Sequence, residues 1–155
     1  YFLSVASRSI PRFIAAQRAE VVAINRGAPA IKVDSAGNPI GSPVPAGRVL
    51  WRGLASLASC SSIPYYGLGM KMFPQAEKLP GRFQLRVSDM SAVEALSHLN
   101  LIWRGEYDSP RLCDFLVDEV ELVLDRPAPF QSGGDLIGNR DRVTISLWDR
   151  PIGMV

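Results

Sequence analysis

Along this chain, short apolar and β-branched runs broken by glycine and proline outnumber stretches with helical spacing, which predicts a mostly-β protein. Strands are expected at about residues 1–6, 19–25, 29–34, 47–61, 82–88, 117–125 and 142–148. The runs Glu20-Val21-Val22-Ala23-Ile24 and Ala30-Ile31-Lys32-Val33-Asp34 are joined through Gly27-Ala28-Pro29, and Asp34-Ser35-Ala36-Gly37-Asn38-Pro39 carries turn chemistry, so the sheet is rich in hairpins. Residues 48–63 mix Val49, Leu50, Trp51, Leu54, Leu57 and Cys60 with small residues, and read as two strands bent at Gly53.

Helical spacing is clearest after Ser91-Ala92-Val93-Glu94, which reads as a capping box: the serine oxygen takes an orphan N–H and the glutamate reaches back. Val93, Leu96, Leu99 and Trp103 then recur on one face, and Gly105 can close the end. His98 falls off that stripe and reads as a surface histidine rather than a catalytic base. A second short helix is expected from Ser109-Pro110 to Phe115, because proline suits the first turn, and a third over residues 10–18. Residues 37–47 form a polar, proline-rich loop that is expected to be mobile.

Composition bounds the function more than it names it. The 155 residues suit one domain with a sizeable core. Hydrophobic residues make up 47% of the chain, yet no run approaches the roughly 18 apolar residues of a spanning helix. A net charge of +2 from scattered basic residues argues against nucleic acid and permits only a weak attraction to anionic lipid. Cys60 and Cys113 lie far apart, and His98 is the one histidine, so a zinc site is nearly excluded. Both cysteines read as small buried hydrophobes in a reducing, cytoplasmic setting. The chain opens directly on strand-like Tyr1-Phe2-Leu3-Ser4-Val5, with no basic stretch leading into an apolar one, and reads as cut from a longer polypeptide.

The segment that carries most chemical information is Tyr65-Tyr66-Gly67-Leu68-Gly69-Met70-Lys71-Met72-Phe73-Pro74. Its two glycines permit a sharp turn or close backbone approach. Tyr65, Tyr66, Leu68, Met70, Met72 and Phe73 either line a groove for an apolar tail or alternate into the core, as strand residues do. Arg82, Arg86, Arg104 and Glu106 read as a solvated face, and Asp114, Asp118, Glu119 and Glu121 as one polar side of a helix-to-strand region.

Four segments in order resemble the second domain of bacterial diacylglycerol kinase and sphingosine kinase-like lipid kinases. Tyr1-Phe2-Leu3-Ser4-Val5-Ala6-Ser7 resembles that domain's opening strand. Tyr66-Gly67-Leu68-Gly69-Met70 with Pro74 resembles the family's Tyr-x-Gly-Gly-Gly-Met-x-x-x-Pro. Pro80-Gly81-Arg82-Phe83-Gln84-Leu85-Arg86-Val87 stands where the family has Asp-Asp-Gly-Leu-Leu and a strand. Pro129-Phe130-Gln131-Ser132-Gly133-Gly134-Asp135 resembles Pro-x-Gln-x-Asp-Gly-Glu.

The resemblance implies a two-layer antiparallel β-sandwich with two or three short helices, spanning residues 1–155 as one domain. It further implies a part in phosphoryl transfer from ATP to a lipid hydroxyl, diacylglycerol-like or sphingoid, at a membrane surface. Asp135 takes the place of the family's general base, and either acts as one or is a turn residue of Gly-Gly-Asp. Tyr66, Gly67, Leu68, Gly69, Met70, Gln131 and Gly134 become substrate-side candidates. ATP and Mg2+ are expected only with an N-terminal nucleotide-binding domain that this chain lacks, since neither common phosphate loop is present. Gly133 replaces one family acid, and Leu79-Pro80-Gly81 replaces the acids of the family's magnesium site outside the catalytic centre, so no metal is expected there. The expected partners are that N-terminal domain and a lipid, with a homodimer compatible. A stand-alone, non-catalytic β-sandwich that binds an apolar ligand or a partner protein remains the alternative.

Overall fold

A computed structural model describes residues 18–148. The strand expected at 1–6 and residues 10–17 of an expected helix lie outside the described residues. The described residues are mostly β, with eight strands and two short helices among them. In order these are β1 (Ala19–Asn25), β2 (Ile31–Val33), β3 (Val49–Ala55), β4 (Leu57–Ser61), β5 (Phe83–Ser88), α1 (Ala92–Ser97), α2 (Leu99–Arg104), β6 (Leu112–Val117), β7 (Glu119–Ser132) and β8 (Asp135–Ser146). They form two four-stranded antiparallel sheets, ordered β3-β1-β7-β8 and β2-β6-β5-β4.

Alternation builds the layers. In β1 the side chains of Ala19, Val21, Ala23 and Asn25 are buried while those between them are less so, as a strand with one covered face requires. Val21, Ala23, Val120 and Leu122 of the first sheet meet Phe83, Leu85, Val87, Phe115 and Val117 of the second in one core. Asn25 is buried among them, and its Nδ2 donates to the carbonyls of Ala28 at 3.0 Å and Val44 at 2.9 Å. Those bonds pin the turn after β1 and the proline-rich loop, whose Val44 also exchanges two 2.8 Å backbone bonds with Ala30.

Several expectations change in the folded chain. The helix expected over 109–115 is instead a turn followed by β6: the Leu112 N–H donates to the Ser109 carbonyl, and β6 then pairs with both β2 and β5. Proline at Pro110 fits the turn as well as a first helical turn, and pairing on two sides decides between them. The bend expected at Gly53 falls at Ser56, whose N–H and hydroxyl both donate to the Ser88 carbonyl as the chain passes from one sheet to the other. The single helix after Ser91 breaks at His98, which ends α1 and begins α2. Ser91 caps the Glu94 N–H at 3.1 Å as expected, but the Glu94 carboxylate turns away to accept from the Tyr107 hydroxyl and Arg111. Gly105 closes α2 in the left-handed conformation. The Val93, Leu96 and Leu99 stripe is exposed rather than buried.

Candidate functional site

The glycine segment folds into a tight hairpin. The Tyr66 N–H donates to the Met70 carbonyl at 2.9 Å, and the Met70 N–H to the Gly67 carbonyl at 2.8 Å. Closing so short a loop requires positive φ at three successive residues: 145° at Gly67, 49° at Leu68 and 79° at Gly69. Space does not demand glycine here, because a Cβ at Gly67 or Gly69 would meet nothing within 4 Å; backbone conformation does. Leu68, which has a Cβ, holds the left-handed conformation at a cost of about 1–2 kcal/mol. It is 88% exposed, with Tyr65 at 55% and Tyr66 at 56%. Met70 and Met72 are half-buried, and Phe73 is buried. The hairpin is therefore an apolar tip on a buried root, not a core strand.

A polar clamp on the outer face of β5 and β6 holds that root. The Arg86 guanidinium forms a fork with Asp114, Nε to Oδ1 at 2.8 Å and Nη2 to Oδ2 at 2.7 Å. Its Nη1 donates to the Met72 carbonyl at 2.5 Å. Gln84, one strand position pair away, donates to Asp114 at 2.8 Å and accepts the Gln75 N–H at 2.8 Å. All four side chains are buried. Arg86 and Asp114 thus belong to no solvated face: charges taken out of water persist only when paired and fully hydrogen-bonded, and a bidentate fork does both. The signal in the sequence was the alternation of Phe83-Gln84-Leu85-Arg86-Val87-Ser88, which places Gln84, Arg86 and Ser88 on one strand face. Beside the clamp, the Lys71 N–H donates to the Trp103 carbonyl at 2.8 Å, and a Cβ at Gly105 would come within 2.8 Å of the Lys71 carbonyl oxygen. Glycine there lets α2 close against the hairpin root.

Asp135 sits on a different projection. β7 and β8 continue past the first sheet as a two-stranded ribbon: β1 pairs with β7 no further than Leu124, whereas β7 and β8 pair on from Ala128 to Asp135. Between Val123 and Ala128 the register shifts, where Asp125, Arg126 and Pro127 lead out of the sheet. Pro127 and Pro129 cannot donate to a further strand, which suits an edge position. The ribbon closes on Gly133 and Gly134, with φ of 60° and 93°, and positive φ at both central residues is the hairpin turn that matches strand twist. Asp135 pairs with Ser132 across that turn, and it is exposed together with Gln131 and Gly134. The ribbon thus brings Gln131, Gly134 and Asp135 together, and the hairpin brings Tyr66–Met70 together by backbone hydrogen bonds. No strand pairing or hydrogen bond among the described residues joins the two groups.

Other polar groups serve the sandwich. Glu121 accepts from Arg26 and from Arg142, whose Nη1 lies 2.5 Å away, and the Arg26 bond above all holds its carboxyl below the usual carboxylate range. Asp118 accepts from Arg82 at 3.1 Å, beside the place where the resemblance put Leu79-Pro80-Gly81. Arg104 and Glu106 form an exposed pair at 2.9 Å. Burial pushes the Cys60 thiol up to about 12 and raises Cys113 as well, so both favour the protonated thiol and act as packing groups. His98 is exposed and its ring lies against Tyr107. A cleft of about 430 Å³ opens beside β2 and β6, with Lys32, Asp34, Tyr107 and Cys113 on its walls. None of the sequence-derived candidates lines it. Among the described residues, no three metal-ligating side chains converge, and no helix is long and apolar enough to cross a membrane.

No protein-family model matches the chain, and no curated protein matches it.

Proposed function

We propose that this chain is the lipid-side domain of an ATP-dependent lipid kinase, and that it acts at a membrane surface with a nucleotide-binding domain packed against the β7–β8 ribbon. The observation that carries the reading is the ribbon itself. A two-stranded hairpin is at best marginally stable alone in water, and this one bears the Gln131, Gly134 and Asp135 set on exposed backbone beyond its own sheet. Docking against a second domain would supply the missing layer and enclose Asp135 in the cleft so formed. There the carboxylate would accept the proton of the lipid hydroxyl as that oxygen attacks the terminal phosphorus of ATP, the bond from that phosphorus to the bridging oxygen breaking and ADP leaving with its electron pair. ATP and Mg2+ would be held by the nucleotide domain, because the described residues here offer neither a phosphate loop nor a cluster of oxygen ligands.

The test is ATP-dependent phosphorylation of a panel of diacylglycerol, sphingoid and glycerophospholipid acceptors by the protein carrying the coding sequence upstream of Tyr1. Asp135→Asn should lower turnover by about a hundred- to ten-thousand-fold and leave the melting temperature unchanged. Unaltered turnover with lowered stability would make Asp135 a turn residue. The stand-alone binder is favoured by Gly133 and Pro80 at positions where the family carries acids. An upstream sequence without a nucleotide-binding segment, together with no transfer to any acceptor, would decide for it.

A further inference from the structure

A sheet ends in strands whose outward backbone groups lack a ladder partner, and folded proteins blunt such edges with short strands, charges, bulges or a covering loop. Among the described residues, three of the four edges of this sandwich are treated in these ways. β2 has three residues, and the loop that follows closes its outer side: the Ile40 N–H donates to the Lys32 carbonyl at 2.8 Å and the Asp34 N–H to the Asn38 carbonyl at 2.9 Å. β8 carries Arg140, Asp141 and Arg142 in succession, with breaks in its register. β4 has five residues, all half-buried, and ends at Ser61, whose hydroxyl hooks into the turn at Ile63. β3 is the exception. Its seven residues hold no proline and one charge, Arg52, and its Val49 and Leu54 are exposed.

The neighbouring strand fixes which way the backbone groups of β3 point. The Glu20 N–H of β1 donates to Asp125 Oδ1 on the β7 side, so Glu20 turns its backbone away from β3. Glu20 faces Leu54 and Val22 faces Arg52, so these are the pairs that exchange no ladder bonds, and Arg52 and Leu54 direct their N–H and C=O groups outward. Gly53 lies between them. We propose that two copies of this chain join along this edge, with β3 antiparallel to its counterpart about a two-fold axis at Gly53.

Three features fit a second copy as the occupant. The axis sets Arg52 opposite Leu54 of the other copy, and because both turn their groups outward, each such pair exchanges two N–H···O bonds and the dimer gains four. Gly53 then meets its own counterpart in the pair type where Cα atoms come closest, about 4.5 Å apart. Glycine brings no side chain to that approach, and the Trp51 ring already fills its inner side, since a Cβ there would lie 3.1 Å from the ring. Charge matches as well. Exposed Glu20 pairs with Leu54 on the face that carries Arg52, so Arg52 of one copy stands about 10 Å from Glu20 of the other, two strand spacings along one row. Two long side chains span that distance, whereas an axis at Arg52 would set two arginines face to face. The contact is closed: it uses the β3 edge of both copies and leaves the charged β8 strands as the ends of the joined sheet.

The dimer contact stands apart from the kinase reading, since it needs neither ATP nor lipid. The experiment is sedimentation equilibrium of the 155-residue chain over a range of concentrations, with amide hydrogen exchange at both ends of that range. The expected result is a monomer–dimer equilibrium in which the Arg52 and Leu54 N–H groups are protected in the dimer and exchange freely in the monomer. Leu54→Pro removes an outward N–H and leaves the β1 ladder intact. It deletes two of the four bonds and should raise the dimer Kd about tenfold, the equivalent of two net hydrogen bonds. Arg52→Glu should weaken the dimer, and combining it with Glu20→Arg should restore it. That rescue decides the matter where Leu54→Pro lowers the melting temperature. Ile137→Asp on the ribbon should leave the equilibrium unaltered. A chain that stays monomeric throughout overturns the proposal. So does a dimer in which the Arg52 and Leu54 N–H groups stay unprotected, or one that Ile137→Asp dissociates and the β3 changes do not.

Discussion

Strand β5 and the outer half of the β7–β8 ribbon both bring apolar and polar residues onto paired antiparallel strands, and they meet opposite fates. Every side chain of β5 is buried, the apolar ones inward; on the other face Gln84 and Arg86 lie under the root of the hairpin, and the Ser88 hydroxyl accepts from the Met90 N–H. In the ribbon, Leu136 and Ile137 are exposed beside Asp135. Burial of a polar residue follows from having a partner to bury it against, and the ribbon has none among the described residues. A strand covered on both faces serves stability; one left uncovered offers its groups to something else.

The contrast is broken most directly at the clamp. Asp114→Ala leaves the Arg86 guanidinium buried without its carboxylate, and should cost about 3–5 kcal/mol of unfolding free energy, measured by urea denaturation. Asp114→Leu combined with Arg86→Met should recover only part of that, because an apolar pair replaces the ion pair at little cost but leaves the buried Gln84 amide and the Met72 carbonyl without their partners. Leu85→Ala, inside the core, should cost about 2–5 kcal/mol. The matching change on the ribbon, Leu136→Ala, should stay within about 0.5 kcal/mol. Parity between those two leucines would show that the ribbon is packed in solution.

The smallest expected effect is a pH dependence of the first sheet. Glu121 has its pKa lowered in the folded state by Arg26 and Arg142. Its contribution is therefore complete above the unfolded value of about 4.3 and is lost as pH falls through the lower folded value. Denaturant midpoints followed downward from neutral pH should decline in that range, and the decline should be shallower in Glu121→Gln.

How much of this was legible in the sequence depends on whether the deciding contact was local. The strands at 19–25 and 82–88, the cap at Ser91, the left-handed Gly105 and the turn character of the two glycine segments are set by neighbours in the chain. The mostly-β class follows from them, whereas the two-layer arrangement is what the resemblance implies and rests on pairings distant in sequence. Residues 109–115 were read as helix because their partners, β2 and β5, lie far away in sequence, and pairing overrode a local preference. The solvated-face reading of Arg86 and the polar-side reading of Asp114 miss their pairing for the same reason: the fork joins residues on separate strands, and charge alone gives no sign of burial. Of the candidate residues, Gln131, Gly134 and Asp135 share a turn that their own spacing dictates. Whether the glycine hairpin shares a site with them depends on how the two projections lie in space, which spacing along the chain does not encode.

The single residue at Ser56 has a consequence for folding. The chain passes between the two layers repeatedly, since β1 and β3 lie in one while β2 and β4 lie in the other, and β7 returns to the first after β5 and β6 complete the second. Neither layer can be finished from one half of the polypeptide. β1 waits for β7, nearly a hundred residues later, before its second flank is paired. Pairings so distant in sequence make for slow assembly, and they tie the layers into one cooperative unit: a cut anywhere between β2 and β5 would leave two fragments, each holding strands of both sheets and able to complete neither.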